Sequence, residues 1–167
     1  MLIEKCSTPP NSILNKYVNM PGAYTDSYLT EIPAQVSFSD YVFAFYTTPL
    51  FKVERLILKI VVRKPSTDQE ARELADDTRS QFAAWTVEDR SANQILMCDF
   101  AGNTRSWLMS IQTENGTRLY FGSAVVPQHR SKDGGPSLGF VFRVLLGFHK
   151  IYSVLLLSSA RTRLLYR

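Results

Sequence analysis

The stretch TRSWLMSIQTENGTRLYFGSAVV, residues 104–126, indicates two antiparallel β-strands joined by a tight turn. Apolar and polar residues alternate on both sides of an Asn-Gly pair, and this dipeptide is a strong hairpin signal. The residue types at these positions fit either a two-residue turn at Asn115-Gly116 or a three-residue loop over residues 114–116. The longer loop separates apolar from polar residues more cleanly, so we predict it.

The same two-residue period extends toward the N-terminus of this hairpin. Residues 81–89 and 93–100 each predict one further strand. Residues 23–32, which lie between Pro-containing turns, predict the first strand of the chain. We therefore expect five strands, four of them in an antiparallel meander.

A register follows from a three-residue loop over residues 101–103. This loop places Asp99 opposite Arg105 and Met97 opposite Trp107. One face of the sheet is then apolar and aromatic, with three polar exceptions: Asp99, Arg105 and Ser123. The apolar members of this predicted face are Ala83, Trp85, Val87, Ile95, Met97, Trp107, Met109, Ile111, Leu119, Phe121 and Val125.

Capping residues mark the beginnings of three short helices. These beginnings are Ser37 with Asp40, Thr48 before Pro49, and Thr67 with Glu70. A long apolar segment over residues 138–160 predicts a closing helix buried against the sheet. The elements together predict an α+β fold, in which an antiparallel meander grips the C-terminal helix. We assign residues 1–20 to an N-terminal tail and residues 21–167 to one domain.

Composition narrows the function classes. The chain has 167 residues, 45% of them hydrophobic, and a net charge of +4, which suits one domain with a real core. Basic residues are interleaved with acids and no nucleic-acid motif occurs, so no nucleic-acid partner is expected. Cys6 and Cys98 lack metal-ligand spacing, so we predict no metal site and no cofactor. Two isolated thiols and the lack of a secretory signal pattern favour a cytoplasmic location.

Two segments raise the question of membrane contact. In the second helix, Lys52, Arg55, Lys59 and Arg63 form a basic stripe beside an apolar one. This pattern is typical of a solvated helix face and is also compatible with contact to anionic lipid. The closing helix is interrupted by charged residues too often for a membrane span.

Asp99 and Arg105 have two interpretations. They form either a salt bridge at the exposed end of a hairpin, or a ligand site roofed by the closing helix. In the second case Arg105 would hold a carboxylate or enolate, and Asp99 would orient it or act as a base. The predicted ligand-binding residues are Tyr28, Trp85, Met97, Asp99, Arg105, Trp107, Met109, Phe121, Ser123 and His149. Tyr24 is expected to point into the same space as Tyr28.

The order of elements over residues 22–162 resembles the START/Bet v1-like superfamily, which has the helix-grip fold. The segments TRSWLM, TRLYFGSAVVP and LLGFHKIYS are similar to a family of small bacterial proteins of unknown function, DUF2867. The resemblance implies a curved sheet around the closing helix, with a cavity that binds lipids, sterols, polyketides or other apolar molecules. Two features depart from that fold: we count five strands where it often has seven, and a third helix precedes the meander.

The function that we predict is binding of an apolar or amphipathic small molecule between the sheet and the closing helix. An enzyme of the polyketide cyclase or dehydratase type is an alternative, for which no catalytic residue can be carried over. A third alternative is a homodimeric or membrane-surface interaction protein, because the closing helix is very apolar.

Overall fold

The computed structural model describes residues 3–61, 63, 65–126 and 139–166. Seven strands and five helices lie within these residues. The strands are β1 (Glu4–Lys5), β2 (Tyr24–Ile32), β3 (Gln81–Phe82), β4 (Trp85–Ser91), β5 (Gln94–Asp99), β6 (Thr104–Thr113) and β7 (Gly116–Val125). The helices are α1 (Asn15–Val18), α2 (Phe38–Tyr46), α3 (Pro49–Val61), α4 (Asp68–Ala75) and α5 (Gly139–Leu165).

All strands belong to one antiparallel sheet with the order β1-β2-β7-β6-β5-β4-β3. The predicted α+β class, the meander and the closing helix are therefore confirmed. The strand count is larger than predicted because residues 81–89 form two strands and residues 4–5 form another. Ala83 has a positive φ of 52° and lies in the turn that separates β3 from β4.

The predicted helix beginnings are confirmed by their hydrogen bonds. Ser37 Oγ accepts a hydrogen bond from the Asp40 amide, and Thr48 Oγ1 accepts one from the Phe51 amide at 3.1 Å. The capping box at Thr67 is complete, because both of its reciprocal hydrogen bonds are present. These contacts satisfy amides that the first helical turn leaves without partners. Helix α5 continues to Leu165, beyond its predicted end at residue 160, while residue 138 lies outside the described residues.

The predicted register of β6 and β7 is wrong. Thr113 pairs with Gly116, so the turn has two residues, Glu114 and Asn115. A Cβ on Gly116 would lie only 2.0 Å from the carbonyl oxygen of Ile32. Gly116 is thus needed for a close approach to the end of β2, not for the left-handed turn position that we assigned to it.

The consequence is that β6 shifts by one residue and its side chains change face. Trp107 lies opposite Gly122 and does not share a face with Phe121. A Cβ on Gly122 would come within 2.8 Å of Trp107 Cε3, so this glycine makes room for the indole. The one predicted apolar face is therefore divided between two faces.

We call the first of these the helix face, because α2, α3, α4 and α5 pack against it. Its buried side chains from the sheet are Tyr28, Ile32, Phe82, Ile95, Met97, Leu108, Leu119 and Phe121. The second face is covered by residues 6–20, which contribute the buried side chains of Leu14 and Tyr17. The buried side chains from the sheet on this face are Leu96, Trp107, Met109, Tyr120 and Ala124. Part of the segment predicted as a tail instead covers the smaller of the two core clusters.

Candidate functional site

The ten predicted ligand-binding residues do not form one site. Five belong to the helix face: Tyr28, Trp85, Met97, Phe121 and Ser123. Three belong to the second face: Arg105, Trp107 and Met109. Asp99 lies at a loop, and His149 belongs to α5, with a side chain outside the part of the chain that is described.

Asp99 and Arg105 are not a pair, so the predicted facing of these two residues is wrong. Arg105 lies opposite Cys98, because the loop between β5 and β6 has four residues and not three. Asp99 Oδ1 accepts hydrogen bonds from the amides of Asn103 at 2.8 Å and Thr104 at 3.2 Å. The aspartate therefore stabilises the loop, as Asp commonly does in turns.

Arg105 is engaged on the second face. A β-bulge between Val87 and Asp89 leaves Glu88 without a ladder partner, and Arg105 Nε donates to the Glu88 carboxylate. Tyr17 Oη donates to the same carboxylate at 2.5 Å. The arginine also donates to the carbonyl of Gly102 at 2.8 Å. These contacts engage Nε and Nη1 of the guanidinium group, which gives Arg105 a structural role.

Trp107 and Met109 are core residues of the second face, and both have no exposed surface. Trp107 Nε1 donates to Gln94 Oε1 at 3.0 Å. The same amide oxygen accepts from the backbone of Ile13, and Gln94 Nε2 donates to the carbonyl of Asn11. Gln94 thus ties the indole to the N-terminal segment, and this closed network has no vacant group for a ligand.

A buried carboxylate on the helix face forms the strongest candidate site. Asp26 is 3% exposed, and the Ser123 hydroxyl donates to its Oδ1. Tyr28 Oη donates to Oδ2 at 3.4 Å. Tyr24 lies two residues before Asp26 on the same face of β2, and its hydroxyl is buried without a hydrogen-bond partner. We call these four residues the Asp26 cluster.

The electrostatics of the Asp26 cluster are unusual for a protein interior. No basic side chain among the described residues forms an ion pair with Asp26, whereas buried carboxylates are normally paired. Burial, together with the charge of Asp26, raises the pKa of Tyr28 to about 12, and the same causes raise the pKa of Tyr24. Both phenols therefore keep their protons near neutral pH, so they can donate hydrogen bonds but cannot act as bases.

Other polar groups lie on the helix face or on the helices that pack against it. Ser106 pairs with Ser123 across β6 and β7 and is 8% exposed. The hydroxyl of Tyr46, from α2, is buried without a hydrogen-bond partner. Between α5 and α3, Tyr152 Oη donates to the carboxylate of Glu54. Aromatic rings lie close together in the same core, with centroid distances of 5.0 Å for Phe45–Phe121 and for Tyr46–Phe51.

Glu54 on α3 has an environment unlike that of a surface acid. Burial raises the pKa of Glu54, and the side chains of Tyr152 and Trp85, which act as donors, oppose that rise. No ion pair of Glu54 with a basic residue occurs in the part of the chain that the structure describes. Glu54 joins α3 to α5 through Tyr152, so we assign it to the packing of these two helices.

Ser123 and Tyr28 are among the ligand-binding residues predicted from the sequence, whereas Asp26 is not. The signal was present, because Tyr24, Asp26 and Tyr28 alternate in a predicted strand and so must share a face. An acid between two tyrosines on the face that also carries Ile32 predicts a polar group in an apolar interior.

A surface groove of about 450 Å³ lies between α2, α4 and β4. Arg90 in its lining donates to the carbonyls of Leu74 and Ala75 at 2.8 and 2.9 Å, where it caps the end of α4. It also pairs with Asp77 at 3.3 Å. The groove's arginine is thus used by the fold, and the Asp26 cluster remains the better candidate.

Comparisons with known proteins add little to this geometry. No protein-family model and no curated protein sequence matches the chain. One solved structure, an uncharacterized protein from Rhizobium leguminosarum, aligns with 82% of this chain and 97% of its own at 8% identity and a TM-score of 0.28.

The described residues contain no group of three or more His, Cys, Asp or Glu side chains that could hold a metal ion. Of the helices in the described ranges, none has the length and apolar content that crossing a bilayer requires.

Proposed function

We propose that this chain binds an amphipathic small molecule between the helix face of the sheet and α5, with the polar end of the molecule at Asp26. The supporting observation is that Asp26 is buried with neutral hydroxyl groups as its only hydrogen-bond partners among the described residues. Burying a carboxylate without a cation costs several kcal/mol, and such groups concentrate at functional sites. A ligand that brings a donor would offset that cost.

The chemistry of the cluster sets the class of ligand. Asp26 accepts hydrogen bonds only, so it favours a ligand amine or hydroxyl. The protonated hydroxyl of Tyr24 can donate to a ligand oxygen. Phe121, which lies two residues before Ser123 on β7 and belongs to the apolar core of the same face, would border the apolar part of the ligand. We infer a molecule with a small polar head and an apolar body.

The proposal keeps the helix-grip interpretation. Three helices, α2, α3 and α4, follow β2 before the remaining strands, β7 pairs with β2, and α5 packs on the same face. We keep the START/Bet v1-like resemblance as a working hypothesis, with the ligand in the place that the resemblance implies, although the third helix, α4, departs from that fold. Within this hypothesis the protein carries its ligand in the cytoplasm.

The test is native mass spectrometry of the protein as purified, followed by extraction in denaturing solvent. Three chains are compared: wild type, Asp26→Asn, and Asp99→Asn as a matched control. Asparagine has nearly the shape of aspartate, so Asp26→Asn preserves packing and removes the charge. We expect a bound compound in the wild type and the control, and a loss of most of it from Asp26→Asn.

Two results would contradict the proposal. One is a wild-type chain that carries no compound and also leaves the fluorescence of N-phenyl-1-naphthylamine, a neutral amphipathic probe, unchanged. The other is equal occupancy in Asp26→Asn and wild type, which would place the compound elsewhere. Circular dichroism of each variant confirms that the fold is retained.

A further inference from the structure

Helix α3 exposes an apolar surface that nothing in the described structure covers. Val53 and Leu56 are each 55% exposed, and Ile60 is 70% exposed. Their spacing of three and four residues places them on one side of the helix. Single exposed apolar residues are ordinary in proteins, but three on one helix face form a patch that marks an interaction surface. We call these three residues the α3 apolar patch.

Basic residues flank the α3 apolar patch. Lys59 lies next to Ile60 and is itself exposed, and Arg63 lies just beyond the end of the helix. Neither forms an ion pair with any described residue. Lys52 and Lys59 also line a shallow groove of about 320 Å³ together with Leu56.

The acidic residues nearby are used within the fold. Glu54 is the only acid in α3, and its carboxylate is turned toward Tyr152 on α5. Asp68 is engaged by Lys52 and Arg55, each at 2.6 Å. The outward side of α3 therefore carries apolar and positively charged side chains without a matching acid of its own.

The opposite side of α3 is held by the fold, so the patch has a fixed orientation. Phe51 is 3% exposed and packs on Tyr46 and Phe82. Arg55, one turn later, is 9% exposed and donates to Ser66 and Asp68. Part of the predicted basic stripe is thus structural, and the patch lies on the other side of the helix.

We propose that α3 docks the protein on an anionic lipid surface. The α3 apolar patch would enter the boundary between headgroups and acyl chains, while Lys59 and Arg63 lie at the level of the lipid phosphates. A second copy of the chain fits this surface less well. In a two-fold dimer through α3, the lysines and arginines of both copies would meet with no described acid to compensate them.

The experiment is sedimentation of the full chain with vesicles. Vesicles of phosphatidylcholine alone are compared with vesicles that also contain phosphatidylserine, at low and at high salt. We expect sedimentation only with the anionic vesicles. High salt should weaken it, because the Debye length falls from about 10 Å at 0.1 M to about 3 Å at 1 M.

Two pairs of variants locate the contact. Leu56→Ala is expected to lower the partition coefficient about tenfold, because roughly half of the side chain would be withdrawn from the lipid. Its matched control is Phe100→Ala, a 62% exposed residue on the loop between β5 and β6. Lys59→Ala is expected to lower the coefficient about fivefold, and its control is Lys5→Ala, which removes the same charge from β1. Neither control should change the binding.

Three results would overturn the proposal. The first is no sedimentation of the wild type with anionic vesicles. The second is equal loss of binding in Phe100→Ala and Leu56→Ala. The third is a dimer in analytical ultracentrifugation that Leu56→Ala dissociates, because the patch would then be covered by a second copy. All the variants are exposed positions, so each should retain the circular dichroism spectrum of the wild type.

Discussion

Replacement of Glu88 tests how Arg105 is used in this fold. The side chains of Arg105 and Glu88 are 12% and 21% exposed, so their ion pair is neither fully buried nor free in water. Breaking a buried pair costs about 3–5 kcal/mol, and an exposed pair contributes about 0–1 kcal/mol. We therefore expect Glu88→Gln to lower the free energy of unfolding by about 1–3 kcal/mol.

A double-mutant cycle distinguishes this pair from the Asp99–Arg105 pair that the sequence predicts. The chains are wild type, Glu88→Gln, Arg105→Met and the double variant, with a parallel cycle for Asp99→Asn and Arg105→Met. Unfolding in urea is followed by tryptophan fluorescence, for which the fully buried Trp107 is a good reporter. We expect a coupling of about 1–2 kcal/mol between Glu88 and Arg105, and less than about 0.5 kcal/mol between Asp99 and Arg105. A larger coupling for Asp99 would refute the register described above.

The pH dependence of the same pair has a defined sign. Burial alone would raise the pKa of Glu88, but Lys16, Tyr17 and Arg105 together hold it below its ordinary value of 4.5. A depressed carboxyl pKa contributes stability that is present above the unfolded pKa and is lost as pH falls through the folded pKa. The advantage of wild type over Glu88→Gln should therefore be full at pH 7 and shrink below about pH 4.5. An advantage that grew in acid would contradict this assignment.

Two further predictions concern the core. Glu54→Gln should stabilise the protein more at pH 7 than at pH 4. Burial raises the pKa of Glu54, so ionisation of this carboxyl disfavours folding as pH rises, by about 1.4 kcal/mol for each tenfold difference in proton affinity between the folded and unfolded states. Equal effects of the substitution in chemical denaturation at both pH values would contradict this prediction. Gly122→Ala should destabilise the fold by about 1–3 kcal/mol, because the added Cβ would lie 2.8 Å from Trp107 Cε3, 2.9 Å from Leu14 Cδ2 and 3.0 Å from the backbone oxygen of Asp26. An unchanged urea midpoint would contradict this prediction, because it would show that β2 and Trp107 move to accommodate the Cβ at no cost in stability.

The elements that depend on local chemistry could be predicted from the sequence. Ser37 and Thr67 accept hydrogen bonds from amides three residues later. Such a contact can be predicted from the residue types of neighbouring positions in the sequence. The alternation of residues in β5, β6 and β7 likewise identifies strands whatever they pair with. The α+β class and the closing helix follow from these patterns.

The registers could not be predicted, because their determinants are distant in the sequence. Gly116 is required by the carbonyl of Ile32, and Gly122 by the indole of Trp107. Both contacts are between strands, so turn preferences at residues 114–116 carry no information about them. A shift of one residue then moved Trp107 and Met109 off the predicted face.

The ordered packing of the N-terminal segment, residues 6–20, could not be predicted from the sequence either. Residues 6–20 contain prolines and few periodic positions, which is typical of a tail. They are ordered by tertiary contacts: Leu14 is fully buried, Gln94 bonds the backbone of Ile13 and Asn11, and Tyr17 meets Arg105. Local propensity does not report contacts of this kind.

We propose that Asp26 is a buried carboxylate to which a ligand binds. The most direct measurement is isothermal titration of the compound recovered from the wild-type protein into stripped wild type and stripped Asp26→Asn. A hydrogen bond to a charged group contributes about 1.5–3 kcal/mol, so we expect binding to Asp26→Asn to be at least about tenfold weaker. Equal affinity in the two chains would contradict it.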